Sequence, residues 1–271
     1  MEISKIQKDR IIDYLKDGKR MDGRKQDEYR EMEVKTGISN KADGSCAVKF
    51  GKTEVYAGVK LEIGTPYPDS PDSGNLSVSA ELGPIASSDF ELGPPRINAI
   101  ELGRIIDRGI RESKFIDLKK LCIKEKEKVW TVYIDLYAIN DDGNLLDVAG
   151  LAALIAIANA KMPVYNEKEE KIEHEWTKES LPVNKENLGF NITLHKIGDK
   201  LVVDPTIEEE KVSDYRVSFA VGDDGDGGAR ITSIQKGKEG AISDEEMDKL
   251  LELLENKWKE IFPKVLKYVW K

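Results

Sequence analysis

The segment Leu145–Ala160, LLDVAGLAALIAIANA, carries a single charged side chain, Asp147, and is apolar around most of its circumference. A helix on a protein surface shows one apolar stripe, whereas a helix that is apolar all round must be covered on every side. At 1.5 Å per residue it spans only about 24 Å, short of the roughly 30 Å core of a bilayer. It is therefore expected as the central buried helix of a folded interior, entered through the turn Asp141-Asp142-Gly143-Asn144.

Working outward, the flanking chain supplies β-rich runs that could cover such a helix. Val129–Ile139 puts Trp130, Val132, Ile134, Leu136 and Ala138 on one face, as period-2 alternation requires, and pairs with Leu121–Lys126 as a hairpin. Upstream, Glu33–Ser39, Ser45–Phe50, Thr53–Ile63 and Asn75–Leu82 read as strands. The stretch TPYPDSPDSG (Thr65–Gly74) has three prolines and reads as a loop. Downstream, Phe190–Ile197, Leu201–Asp204, Asp214–Val221 and Ala229–Gln235 are strand-like, and Tyr165–Pro182 reads as charged and irregular. A closing helix starts at Ser243, with Met247, Leu250, Leu254, Trp258, Ile261, Val265 and Val269 three or four apart; Pro263 is expected to kink it. Ile3, Ile6, Ile11, Tyr14 and Leu15 mark an N-terminal helix that Gly18 stops. Strands followed by a long helix, twice over, point to an α+β class with sheets packed on helices. The expected organisation is one domain over 1–271: an N-terminal helix (1–17), a first βα half of about 25–160 and a second of about 185–270.

The chain has 271 residues, with 42 basic and 51 acidic side chains and a formal charge of −9. That balance argues against wrapping nucleic acid over a broad face. Cys46 and Cys122 stand apart, without metal-ligand spacing or a secreted disulfide pattern, and are expected as buried free thiols in a reducing compartment. Met1–Leu15 lacks the apolar core of a signal peptide, and no run is long enough to span a membrane. A cytoplasmic location is expected.

Against this acidic background, Arg96–Arg111 holds four arginines and two carboxylates, Glu101 and Asp107. Pro94-Pro95 breaks the chain just ahead, so a helix is expected from about Arg96 to Ser113. At about 100° per residue, Arg104, Arg108 and Arg111 fall within an arc of roughly 60°. Guanidinium groups in a row can grip successive phosphates with paired hydrogen bonds. Ordinary ion pairs are the competing reading, because Glu101 and Arg104 are three apart and Asp107 and Arg111 four apart.

Arg20-Met21-Asp22-Gly23-Arg24 followed by GSCAVKFGKT (Gly44–Thr53) resembles the opening of RNase PH-like proteins, the phosphorolytic exoribonucleases and their relatives. PIASSDFELGPPRINAIELGRIIDRGIRES (Pro84–Ser113), DDGNLLDVAGLAAL (Asp141–Leu154) and VVDPTIEEEKVSD (Val202–Asp214) are similar to the non-catalytic RNase PH-like subunits of archaeal exosome rings. The resemblance covers roughly residues 5 to 270. It implies an RNase PH-like fold of two β-rich halves around central helices, in a hexameric ring that alternates with a catalytic RNase PH-like subunit. It also implies single-stranded RNA threading the ring, RNA-binding cap subunits on one face, and an RNA-contact role for Arg104, Arg108 and Arg111. Arg96, beside Pro95, is a weaker candidate. Arg20 and Arg24 flank an Asp-Gly turn and suit a structural or interface role at least as well as RNA contact.

The same resemblance says what chemistry to look for. Active relatives hold inorganic phosphate in a small-residue loop ending in an arginine at the start of the central helix; here the loop is Gly143–Asp147, and Asp147 stands in the arginine's place. A carboxylate there repels phosphate, or else it is a first-turn acid favoured by the helix N-terminus; either way the arginine is missing. Active relatives also carry two aspartates six apart. Asp214 matches the second, with Glu208 or Glu210 ahead of it, and that pair is the alternative reading, a self-sufficient phosphorolytic exoribonuclease. Glu208-Glu209-Glu210 with Asp214 could hold a divalent ion, but a charge run on a surface turn is the expected explanation. The expectation is a chain with no catalytic residues, cofactor or metal of its own.

Other tempting signals carry less. GDDGDGG (Gly222–Gly228) lacks the ending of a P-loop and the closing glutamate of a calcium loop, and reads as a hairpin turn. His174 and His195 lie apart, with no triad arrangement, and Trp258 and Trp270 suit packing.

Overall fold

The computed structural model describes residues 4–166, 169 and 171–269; Ile3, Trp270 and the side chain of His174 lie outside the described residues. The chain opens with α1 (Lys5–Lys16), followed by β1 (Met32–Thr36), β2 (Gly44–Phe50), β3 (Thr53–Gly64) and β4 (Asn75–Leu82), and then α2 (Ile97–Ser113). Next come β5 (Cys122–Lys124), β6 (Lys128–Asn140), α3 (Leu145–Ala158), β7 (Lys161–Asn166) and β8 (Lys171–Ser180). The second half holds β9 (Gly189–Ile197), β10 (Lys200–Val203), α4 (Ile207–Val212), β11 (Tyr215–Asp223), β12 (Ala229–Gly237) and α5 (Asp244–Val269).

Two sheets enclose the central helix. The first has the order β1-β2-β3-β6-β4, with β5 also on β6, and only β4 runs parallel to its neighbour. The second is the antiparallel meander β10-β9-β11-β12. From Asp147 to Ile157 every residue of α3 is buried, as its all-round apolar surface demands. Strand β2 lies so close that a Cβ on Gly44 would stand 2.3 Å from the Ala156 carbonyl oxygen. Helix α2 is amphipathic: Leu102, Ile105, Ile106 and Ile110 are buried, while Arg104, Arg108 and Arg111 stay exposed. Trp258 of α5 stacks between Phe190 and Phe262, at 5.0 and 4.3 Å, which is core packing. Cys46 is buried, and burial pushes its thiol up to about 12; Cys122 is only half-buried. No helix among the described residues is long and apolar enough to cross a membrane.

Three expectations need correction. Tyr165–Pro182 is not irregular: most of it forms the β7–β8 hairpin. Only a few of its side chains, Met162, Pro163, Tyr165 and Ile172, turn toward the core, and the rest are largely charged, so the apolar pattern is weak. The hairpin is pinned by Trp176, whose indole N–H donates to buried Asp43 at 2.8 Å. Glu208–Glu210 is not a surface turn but lies in α4, opened by a capping box between Thr206 and Glu209. On α1, only Ile11 and Leu15 of the apolar set are buried; Ile6 and Tyr14 are exposed. Apart from these, Pro263 lies within α5, where the kink is expected. GDDGDGG turns β11 into β12 as expected, with the Asp224 carboxylate accepting from the amides of Asp226 and Gly228.

Polar contacts in the interior tie the N-terminal segment to both halves. Arg20 is buried and pairs through both ends of its guanidinium with the buried carboxylate of Glu209, while also donating to the carbonyls of Val203 and Asp204. Arg24 and Arg30 converge on Asp204, at 2.9 and 2.7 Å. Arg20 and Arg24 are therefore structural. Removing one member of a buried pair leaves the other charge without its counterion, which costs about 3–5 kcal/mol, whereas apolar replacement of both is close to neutral. Accordingly, Arg20→Met should lower unfolding free energy in urea by about 3–5 kcal/mol, and adding Glu209→Met should recover most of it. A double-variant loss equal to the sum of the two single-variant losses would show that the pair is not coupled.

Candidate nucleic-acid interface

Helix α2 separates two depressions of opposite character. On one side a groove of about 650 Å³ runs between α2 and β12, lined by Ile97, Ile100, Arg104, Arg108, Ile234 and Gln235. On the other side a cleft of about 480 Å³ runs toward the start of α3, lined by Asp141, Leu146, His195, Glu210, Arg216 and Lys238 among others. Glu101 lines both.

In the groove, Arg104 and Arg108 are exposed, and neither has a hydrogen bond or ion pair among the described residues. Both carboxylates that border the groove are engaged elsewhere. Asp107 accepts from Arg111 at 2.9 and 3.1 Å, and Glu101 pairs with Arg216 of β11 at 2.8 Å. The ion-pair reading thus holds for Arg111 and fails for Arg104. Arg111 also donates to the Leu76 carbonyl at 3.1 Å, which turns it toward β4. The groove brings together two of the three expected arginines. Arg96 pairs with Glu91 on the surface.

In the cleft every cation is taken. Lys211 pairs with Asp89 at 2.7 Å, Arg216 with Glu101, and Lys238 donates to the backbone carbonyls of Glu210 and Ser213. Burial lowers the pKa of Lys238. His195 is buried, 3.2 Å from the Ser213 hydroxyl; burial, aided by Lys238, Arg216 and Arg20, depresses it to about 3, so it is neutral. The loop that begins α3 makes a left-handed turn at Gly143 (φ 89°) and Asn144 (φ 61°). Gly143 is needed there, because a Cβ would lie 2.4 Å from the Pro205 carbonyl oxygen.

That loop already holds a carboxyl group of the protein's own. The backbone N–H of Asn144 donates to the Glu210 carboxylate at 2.7 Å, and the N–H of Gly143 to Asp141 at 3.0 Å. A helix N-terminus favours such negative charge. Burial pushes Glu210 up to about 7, against the pull of the Asn144 amide and with help from Asp141. Asp147, in the arginine's expected place, points inward: its Oδ2 accepts from the Thr193 amide at 3.1 Å and faces the Tyr29 hydroxyl at 3.4 Å. It is the first-turn acid of α3 and is turned away from solvent.

The carboxylates of the alternative catalytic pair serve different loops. Asp214 accepts from the Gly198 amide at 2.9 Å, Glu210 from Asn144, and Glu208 is exposed. Among the described residues no group of three or more His, Cys, Asp or Glu side chains is placed to hold a metal ion. Sequence reasoning missed Glu210 as the occupant of the loop, and missed Arg216. Thr206-Ile207-Glu208-Glu209 is a capping-box signal that would have revealed α4 and, with it, the inward faces of its glutamates. No sequence signal links Arg216 to Glu101.

Comparison with known proteins narrows the reading. Models of the 3′ exoribonuclease family match the chain over residues 28–163 (domain 1) and 191–253 (domain 2). The Thermococcus kodakarensis exosome complex component Rrp42 is 43% identical over 99% of this chain and 98% of its own length. The Methanopyrus kandleri protein of the same name is 38% identical over 96% and 95%. A chain of the Archaeoglobus fulgidus exosome with RNA bound to the active site superposes with a TM-score of 0.84 at 41% identity, covering 95% of this chain and 98% of that one.

The buried carboxyl of Asp147 gives a pH test. Burial raises it to about 7, and both Asp147 Oδ1 and Asn144 Oδ1 are buried acceptors without a donor, so a proton there fills a gap. The folded state then binds more protons than the unfolded chain between about pH 4 and 7. Stability from this site is full below pH 4 and is lost as pH rises through 7. In urea titrations between pH 5 and 8, Asp147→Asn should flatten the fall in midpoint seen in the unsubstituted protein. A profile as steep as the original would remove Asp147 as its source.

Proposed function

Because the chain belongs to the RNase PH family of 3′ exoribonucleases, we propose that it serves an exosome core by holding single-stranded RNA for a catalytic partner. It is a non-catalytic exosome component with an α+β, RNase PH-like fold. The observation behind this reading is a contrast on either side of α2. The amide that could receive an attacking phosphate is bonded to the protein's own Glu210, while Arg104 and Arg108 have no counterion among the described residues.

Phosphorolysis brings an anionic nucleophile to an anionic phosphodiester, so it requires donors that are not already satisfied. In this cleft Lys211, Arg216, Lys238 and the Asn144 amide are already bonded within the protein. What the chain contributes is register: phosphate contacts from Arg104 and Arg108 fix the strand so that its end meets the partner's site, converting a search into a positioned reaction. The exposed isoleucines along the same groove suit the apolar faces of ribose and base without reading sequence. Arg111 belongs to the proposed contact set, but its bonds to Asp107 and Leu76 make it a secondary member. The family resemblance supports an alternating hexameric ring with a catalytic RNase PH-like subunit, RNA-binding cap subunits on one face, and a cytoplasmic site of action. It supports, too, a single functional unit over 1–271, with halves of about 25–160 and 185–270.

Expressed alone, the chain should show negligible phosphate-dependent shortening of RNA, and mixing it with the catalytic subunit should give an active complex. Robust phosphorolysis by the lone chain would overturn the reading. In the complex, Arg104→Ala with Arg108→Ala should weaken binding of a labelled oligoadenylate. The slope of log affinity against log salt should become shallower by about 1.4, at roughly 0.7 per phosphate contact for single strands. Arg111→Ala should have a smaller effect than either; a larger one would assign it the primary contact.

A further inference from the structure

Two carboxylates border the arginine groove, and unless both are neutralised by other partners, Arg104 and Arg108 would be neutralised instead. Asp107 is held by Arg111 from within α2. Glu101 has its nearest sequence partner in Arg104, one turn along the same helix, and lines the groove beside it. Yet its carboxylate is drawn through the ridge of α2 to the opposite cleft, where it meets Arg216 at 2.8 Å. Arg216 is built to do this. Its side chain is only 15% exposed, it is braced by the Ser218 hydroxyl at 3.3 Å, and it lies across Gly237, its partner in the β11–β12 ladder. A Cβ on Gly237 would stand 2.7 Å from the guanidinium carbon, so glycine leaves the room in which that head rests.

We propose that Arg216 is a positioning residue for RNA: by drawing Glu101 into the cleft, it keeps Arg104 free of its helical neighbour and available to phosphate. The inference rests on the reading of the groove as the RNA contact. Arg216 sits on β11 and need not touch the strand. Its effect passes through one carboxylate with two reachable cations, Arg216 on one side and Arg104 on the other. A surface ion pair at helical spacing is individually weak, but it competes directly with the phosphate for the same guanidinium.

The experiment measures oligoadenylate binding to the complex with the catalytic subunit across a salt series. Arg216→Met should weaken binding about three- to tenfold and make the salt slope shallower by about 0.7, the equivalent of one phosphate contact. Adding Glu101→Gln to Arg216→Met should restore both values, and Glu101→Gln alone should bind as tightly as the unsubstituted protein or tighter. Unchanged binding in Arg216→Met overturns the inference. A loss that Glu101→Gln does not rescue also overturns it, because Arg216 then acts on RNA or on folding by itself. Should Arg216→Met fail to assemble, Gly237→Ala displaces the guanidinium with all charges retained, and the same loss with the same rescue is expected. The Arg104→Ala, Arg108→Ala complex is run alongside: if it binds normally, the groove reading has failed, whereas a weakened control beside an unaffected Arg216→Met sinks the Arg216 role alone.

Discussion

Asp204 is a carboxylate with no exposure to water, and three separate parts of the chain meet on it. Arg24 and Arg30 come from the segment after α1, Asn144 from the turn into α3, and Asp204 itself directly follows β10 with a positive φ of 43°. Burial by itself would raise its pKa, but the hydrogen bonds and charges of Arg30, seconded by Arg24, outweigh that and hold it below the usual carboxylate range. A buried charge is tolerated only when its oxygens are saturated with donors, and here the saturation fixes geometry. The loop before α3 can have only one shape if Asn144 is to reach Asp204 while Arg30 also donates to the carbonyls of Asp142 and Gly143. The position of α3, the element on which both sheets pack, follows from that junction.

The same junction decides what the cleft cannot do. Pro205 and Thr206 carry the chain directly from Asp204 into α4, so α4 is delivered against the α3 turn and Glu210 meets the Asn144 amide. A substrate phosphate would have to displace a carboxylate held in place by the fold, in a cleft whose lysines and arginine already have partners. Loss of catalysis in this chain is therefore more than a missing arginine. The Glu210 carboxyl holds the amide at the head of α3, and Asp147, which the family resemblance sets in the arginine's place, is part of the core through Thr193.

What could be read from sequence was whatever depends on local periodicity. The all-apolar run of α3, the alternation of β6 and the arginine spacing of α2 each reflect a repeat of 3.6 or 2 residues, and each lies where the pattern put it. The β7–β8 hairpin escaped because its few core-facing side chains, such as Met162, Tyr165 and Ile172, are scattered among charged residues and make too short an alternation to read. Helix α4 escaped because six residues hold too little periodicity, although its capping box was present. The Asp204 contacts and the Glu101–Arg216 pair are of another kind: Arg30 and Asp204 are 174 residues apart. Helical spacing proposed Arg104 as the partner of Glu101, and the tertiary fold supplied a better-braced one. Spacing was right for Asp107 and Arg111, where no competing cation arrives.

A chain with a formal charge of −9 can still attract a polyanion, because the sign that matters is set within a Debye length, about 8 Å at physiological salt. Carboxylates beyond that distance are screened, so the acidic surface as a whole has little effect on a phosphate in the groove. The carboxylates that count are Glu101 and Asp107, and each is already joined to a cation that is not facing the groove. The local excess of positive charge thus depends on how the acids are assigned as well as on the number of arginines: Glu101 and Asp107 turn to Arg216 and Arg111, which leaves Arg104 and Arg108 unpaired among the described residues. Charge placement of this sort needs a rigid frame that keeps the Arg216 guanidinium within reach of Glu101. The ladder between β11 and β12, with Gly237 under Arg216, supplies that frame and links the side of α2 proposed to meet RNA to the cleft behind it.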